Sequence, residues 1–102
     1  MKFTIKKRSK NIIDLIRSFG YVHHGVNREK HSFVRRISMA DYPRFHLYVY
    51  PIDSIREKED RIILNLHLDQ KKPSYKGSPA HGGEYGGEIL EKEKERIKKL
   101  AR

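Results

Sequence analysis

His46, Tyr48, Asn65, His67 and Asp69 are residues whose types and spacing suggest chemistry in this 102-residue chain. Each group alternates along its segment, so two extended strands would project all five side chains from one face. Two imidazoles and a carboxylate can perform acid–base work near neutral pH, or hold a metal ion. The same residues also make an ordinary solvated sheet face. Their spacing matches no zinc signature, and neither a metal nor another cofactor is expected.

A second group is His23, His24 and His31, of which His31 can act as a general base or be a polar residue at a strand edge. A third mixes cations with aromatics: Arg28, Lys30, Arg35, Arg36 and Arg44 stand near Tyr42, Tyr48 and Tyr50. Arginine holds phosphates and exposed tyrosine stacks on bases, although the tyrosines can equally be half-buried with wet hydroxyls. Lys71 and Lys72, followed by Pro73, Gly77 and the pair Gly82–Gly83, suggest a basic loop whose backbone approaches phosphates, or a plain linker. No Walker spacing and no dinucleotide-binding glycine pattern occurs.

The elements that must position these groups follow from periodicity. Residues 45–50 and 62–69 alternate with period two and read as strands. Phe45, Leu47 and Val49 share one face, as do Ile62, Leu64, Leu66 and Leu68. Residues 32–37 read as a further strand with Phe33, Arg35 and Ile37 together, and Tyr21 to His23 begin another before a turn at 25–30. Ile12, Ile16 and Phe19 fall at helical spacing, with Ser9 as N-cap and Gly20 as stop. Residues 88–102 read as a charged helix with Ile89, Glu93, Ile97 and Leu100 on one stripe, flanked by Leu90 and Ala101. The expected fold is α+β: an antiparallel sheet of three or four strands with two helices on its apolar face, which includes Leu47, Val49, Leu64 and Leu66. Residues 1–8 form a basic arm or a short strand; residues 9–102 form one domain with a long Gly/Pro-rich loop at 70–87.

Composition narrows the partners. The chain carries 23 Lys and Arg against 13 Asp and Glu, a formal net charge of +10. Lys2, Lys6, Lys7, Arg8 and Lys10 cluster without an acid near the start. Such an excess favours a polyanion, nucleic acid before any other. There is no cysteine, which excludes disulfides and thiolate metal sites and fits a reducing compartment. No run approaches the ~20 apolar residues that span a bilayer, so no membrane partner is expected and the cytoplasm is the expected location.

Residues 9–37 also resemble a known family. A helix followed by Phe19-Gly20-Tyr21-Val22, a turn, and His31-Ser32-Phe33-Val34-Arg35-Arg36 is similar to the small HicA (YcfA-like) toxins. The resemblance implies an α-β-β-β-α fold like that of double-stranded-RNA-binding domains, RNA cleavage with His31 as the catalytic histidine, and a cognate antitoxin as partner. The chain has Glu29-Lys30-His31 where that family has Gly-Ser-His, and it is longer. The expected function is RNA-favoured nucleic-acid binding through Lys6, Lys7, Arg8, Arg28, Lys30, Arg35, Arg36, Arg44, Tyr48, Lys71 and Lys72. The alternatives are metal-independent RNA cleavage by His31, or by His46 with His67, and an adaptor that meets an acidic protein.

Overall fold

The computed structural model describes residues 1–7, 11–27, 30–50, 61–70 and 82–102, with side chains omitted at residues 27 and 82–86. Among them the chain forms five strands and two helices: β1 (Lys2–Lys6), α1 (Ile12–Arg17), β2 (Val22–Asn27), β3 (Lys30–Arg36), β4 (Arg44–Tyr50), β5 (Arg61–Asp69) and α2 (Gly82–Leu100). The strands make one antiparallel sheet in the order β1-β5-β4-β3-β2. The fold is α+β, as expected, but the sheet has five strands rather than three or four. The difference lies at the two edges. Phe3 and Ile5 alternate with polar residues and bury against β5, so the N-terminal segment completes the sheet as a strand. A strand also precedes α1, unlike the order that the HicA resemblance implies.

The central strands follow their alternation. Leu47 pairs with Leu66 and Val49 with Leu64, and all four are fully buried. Phe33 joins them from β3, opposite Leu47. Ile16 and Phe19 of the α1 region and Ile97 and Ala101 of the α2 region belong to the same apolar cluster. One face of the sheet therefore builds the core; α1 packs on β2 and α2 on β5.

Helix ends differ in detail from the sequence expectation. The N-cap of α1 is Asn11, not Ser9: its side chain accepts from the Asp14 amide at 3.2 Å. Asn and Ser cap about equally well, so periodicity alone cannot choose between them. Gly20 terminates the following turn with φ +96°, a left-handed conformation that glycine adopts without a Cβ clash. The second helix starts at Gly82 rather than at residue 88. Glycine costs about 1 kcal/mol against alanine inside a helix, which is why this stretch reads as loop. A helix nucleated downstream gains one hydrogen bond for each residue it adds, and it extends through the glycines. The buried face of α2 is also rotated from the expected stripe. Glu93, Ile97 and Ala101 are buried with Leu90 beside them, whereas Ile89 and Leu100 are 42% and 51% exposed.

Burial of Glu93 requires partners, since an unpaired carboxylate does not leave water. Tyr21 Oη donates to Glu93 Oε2 at 2.6 Å. Arg96 donates to both carboxylate oxygens at 2.7 and 2.9 Å and reaches the Phe19 carbonyl at 2.7 Å. Arg35 stands 3.5 Å from Oε1. This cluster ties α2 to the end of α1 and to β3. Burial first, and the Glu93 carboxylate second, push the Tyr21 hydroxyl far above its ordinary value of 10.0.

Glu93→Ala strands the Tyr21 hydroxyl and the Arg96 guanidinium together. Arg96 is one-third exposed, so the expected loss is about 2–4 kcal/mol, at or below the range for a fully buried pair. Urea denaturation measures it; an unchanged midpoint would show that the cluster does not hold α2 in place.

Candidate nucleic-acid interface

The opposite sheet face carries most of the polar residues of β1, β3, β4 and β5. β4 presents Arg44, His46, Tyr48 and Tyr50; β5 presents Arg61, Ile63, Asn65, His67 and Asp69; β3 presents Lys30, Ser32, Val34 and Arg36; β1 presents Lys2, Thr4 and Lys6. Register brings them side by side. His46 faces His67, Tyr48 lies between Ser32 and Asn65, and Arg44 lies between Arg36 and Asp69. Of these side chains six are cationic and one, Asp69, is anionic.

Tyr48 occupies the middle of the face. The Lys30 ammonium sits 4.4 Å from its ring centroid, the His46 ring 4.3 Å away, and the His67 ring 5.6 Å away edge-on. Tyr50 carries Lys2 at 5.8 Å, and Tyr42 carries Arg44 at 4.6 Å. The result is a patch of half-buried rings edged by cations on long side chains.

A hydrogen-bonded chain crosses three strands beneath it. Ser32 Oγ lies 2.6 Å from His46 Nε2, and His46 Nδ1 lies 3.1 Å from Asp69 Oδ2. With the proton on Nδ1, His46 donates to Asp69 and accepts from Ser32. Hydroxyl, imidazole and carboxylate stand in the order used by nucleophilic hydrolases. Such enzymes also need donors aimed at a developing oxyanion. β3 is paired on both sides, so its amides enter ladders instead of converging beside Ser32. The hydrogen-bonded chain holds the imidazole in one orientation between Ser32 and Asp69. Arg44 completes it: Nε is buried without a hydrogen-bond partner and lies 3.5 Å from Asp69 Oδ2.

Burial lowers His46 below its ordinary 6.5 and outweighs the opposing pull of Asp69. His67 is lowered by burial, then by the N-terminal ammonium and His46. Met1 N reaches the Leu66 carbonyl at 3.2 Å and Asn65 Oδ1 at 3.3 Å, which places that ammonium beside the face. Both imidazoles are thus biased toward the neutral form. No group of three or more His, Cys, Asp or Glu among the described residues is placed to hold a metal ion.

The other candidates separate. His31 lies on the opposite side parity from Tyr48, at the β2–β3 ladder, with Nδ1 3.2 Å from His23 Nε2 and its ring near Phe33. Burial, then His23, lower its pKa from 6.5. His24 falls at the β2 bulge, on the side of His46, whose imidazole its charge opposes. Arg35 points to the helix side and meets Glu93, so it belongs to the cluster that anchors α2. Arg36 is on the open side, 3.6 Å from Asp41. Lys6 and Lys7 lie at the end of β1 and just beyond it. Arg8, Arg28, Lys71 and Lys72 fall outside the described residues, as do most of the 70–87 loop and residues 52–60. Sequence reasoning missed Ser32 and Lys2; their parity with Lys30 and Thr4 was the available signal.

No family model, curated protein or solved structure matches the chain. The HicA resemblance rests on the residues quoted for it. No helix among the described residues is long and apolar enough to cross a membrane.

Histidine titration followed by NMR checks the electrostatics. His46 and His67 are expected to protonate below pH 6.5, and Asp69→Asn to push His46 lower still. A folded-state pKa below the unfolded value contributes stability above pH 6.5 that is lost as pH falls through the histidine range. The urea midpoint should therefore drop between pH 7 and pH 5.5. A His46 that titrates above 6.5 would mean that Asp69 outweighs burial.

Proposed function

We propose that the chain binds single-stranded nucleic acid, RNA foremost, across the open face of its sheet, within the cytoplasm. The observation that carries this reading is the central Tyr48, flanked by imidazoles and capped by the Lys30 ammonium. Single strands are held by stacking their bases on aromatic rings while cations track the phosphates. A cation over an exposed ring contributes about 0.5–1 kcal/mol. A stacked base contributes about 1–3 kcal/mol, so it displaces Lys30 from Tyr48. The freed ammonium then meets a phosphate, so the base takes the ring and the cation keeps a partner. Arg44, Arg36, Lys2 and Lys6 extend the cationic border, and His46 and His67 in their neutral form offer both donors and acceptors to base edges. Sequence preference would come from those edges, because phosphate contacts carry none.

Fluorescence anisotropy with labelled single-stranded RNA tests the reading. Affinity should fall steeply with salt, log K declining linearly with log salt. Tyr48→Ala should weaken binding by about 1–3 kcal/mol without changing the salt slope. Lys30→Gln and Arg44→Gln should each lower the slope by about 0.7. Absence of binding at low salt would remove the proposal.

The second reading, metal-independent RNA cleavage, is favoured by the His23–His31 pair, whose facing nitrogens can share one proton. A neutral His31 can take the proton of a 2′-hydroxyl. On this reading labelled RNA is cut in EDTA, and His31→Ala abolishes cutting while leaving binding nearly intact, since one imidazole adds little to ten excess charges. Cutting that survives His31→Ala but not His46→Ala would move the chemistry to the open face. A cognate antitoxin or other acidic protein would compete for the same cations.

A further inference from the structure

A cavity of about 290 Å³ opens at the β1 edge of the sheet, walled by Thr4, Lys6, Arg61, Lys98 and Arg102 with Ile5 and Ala101 between them. We propose that it binds a phosphate monoester. Four of its walls are cationic side chains, and among the described residues none is an acidic side chain. Lys6 and Arg61 are direct cross-strand partners, and like charges in that position destabilise a sheet. Lys98 in the last turn of α2 and Arg102 just beyond it bring two more cations to the same cavity. In earlier turns of α2, Lys92 pairs with Glu88, Lys94 with Glu91 and Arg96 with Glu93. Among the described residues, none of the four cavity cations pairs with a carboxylate.

The helix dipole favours cations in the last turn of α2, which accounts for Lys98 by itself. It does not account for Lys6 opposite Arg61, on other elements that line the same cavity. One unfavourable cross-strand pair and two further cations that line one cavity are relieved together by one anion. A monoester suits them better than a diester: it is dianionic near neutral pH and presents three terminal oxygens. Thr4 offers a hydroxyl donor to the same group. Buried Ile5 and Ala101 form an apolar floor between the cations. Lys6 also belongs to the open sheet face, so a nucleic-acid strand that crosses the face would end here; that last step alone rests on the proposed function.

The test uses the full chain and two probes. In amide NMR, adenosine 5′-monophosphate should shift residues 4–6, 61 and 98–102, and adenosine should not. Arg61→Gln and Lys98→Gln should each weaken the nucleotide about tenfold, a change equivalent to 1.4 kcal/mol. Arg61→Gln should also raise the urea midpoint slightly, because the like-charge pair with Lys6 is removed; a structural role for Arg61 predicts a fall instead. In anisotropy, a 5′-phosphorylated oligonucleotide should bind more tightly than its 5′-hydroxyl twin, and Lys98→Gln should erase the difference. Tyr48→Ala should weaken both twins alike. Equal responses to nucleotide and nucleoside overturn the cavity and leave the sheet face standing. Nucleotide shifts at the cavity without oligonucleotide binding support the cavity and overturn the sheet face.

Discussion

A single buried carboxylate sets how this domain is closed. Glu93 is 4% exposed, and its oxygens are stable there only because Tyr21, Arg96 and Arg35 converge on them. Those partners come from the α1–β2 junction, from α2 itself and from β3. Only one rotation of α2 brings Glu93 to them. That rotation puts Ile97 and Ala101 in the core and leaves Ile89 and Leu100 in solvent, at the expense of the more apolar stripe. The hydrogen-bonded cluster thus decides an orientation that hydrophobicity leaves open. Whether such clusters stabilise relative to an apolar replacement varies among proteins, but breaking one side of them is costly.

Closure on one face determines the chemistry of the other. The apolar cluster takes the side chains of one parity from the inner strands, so the remaining parity must meet water. Polar residues are required on that face by solvation alone. Solvation does not require that the strands set six cations against one carboxylate of their own, or that tyrosine and two histidines meet in the middle. Nor does it require an ordered run from Ser32 through His46 to Asp69. The run fixes imidazole orientation at the centre of a face that has no covering layer among the described residues.

Alternation made much of this legible in advance. Residues 45–50 and 62–69 separate their faces cleanly, which is enough to place His46, Tyr48, His67 and Asp69 together and to bury Leu47, Val49, Leu64 and Leu66. Other features were not legible because they depend on partners distant in sequence. Phe3 and Ile5 become core only beside β5, some sixty residues away. Gly82 and Gly83 are helical because the strong helix formers downstream nucleate α2 and carry it back through them. Arg35 and Arg36 look equivalent in sequence, yet one parity step sends the first to Glu93 and the second to the open side. Ser32 joins His46 only through the register between β3 and β4.

The register shift between His23 and Gly25 has a different bearing, on how the domain keeps to itself. β2 is an outer strand, and Val22 and Val26 are 64% and 60% exposed along it. A straight strand of that kind offers its free backbone groups to any other extended chain and invites polymerisation. The bulge, with Gly25 at φ +149°, bends the ladder and spoils the template. At the far edge β1 is only five residues long and begins and ends in lysine. Both borders of the sheet thus discourage strand addition, and the broad face between them can stay uncovered without seeding aggregation.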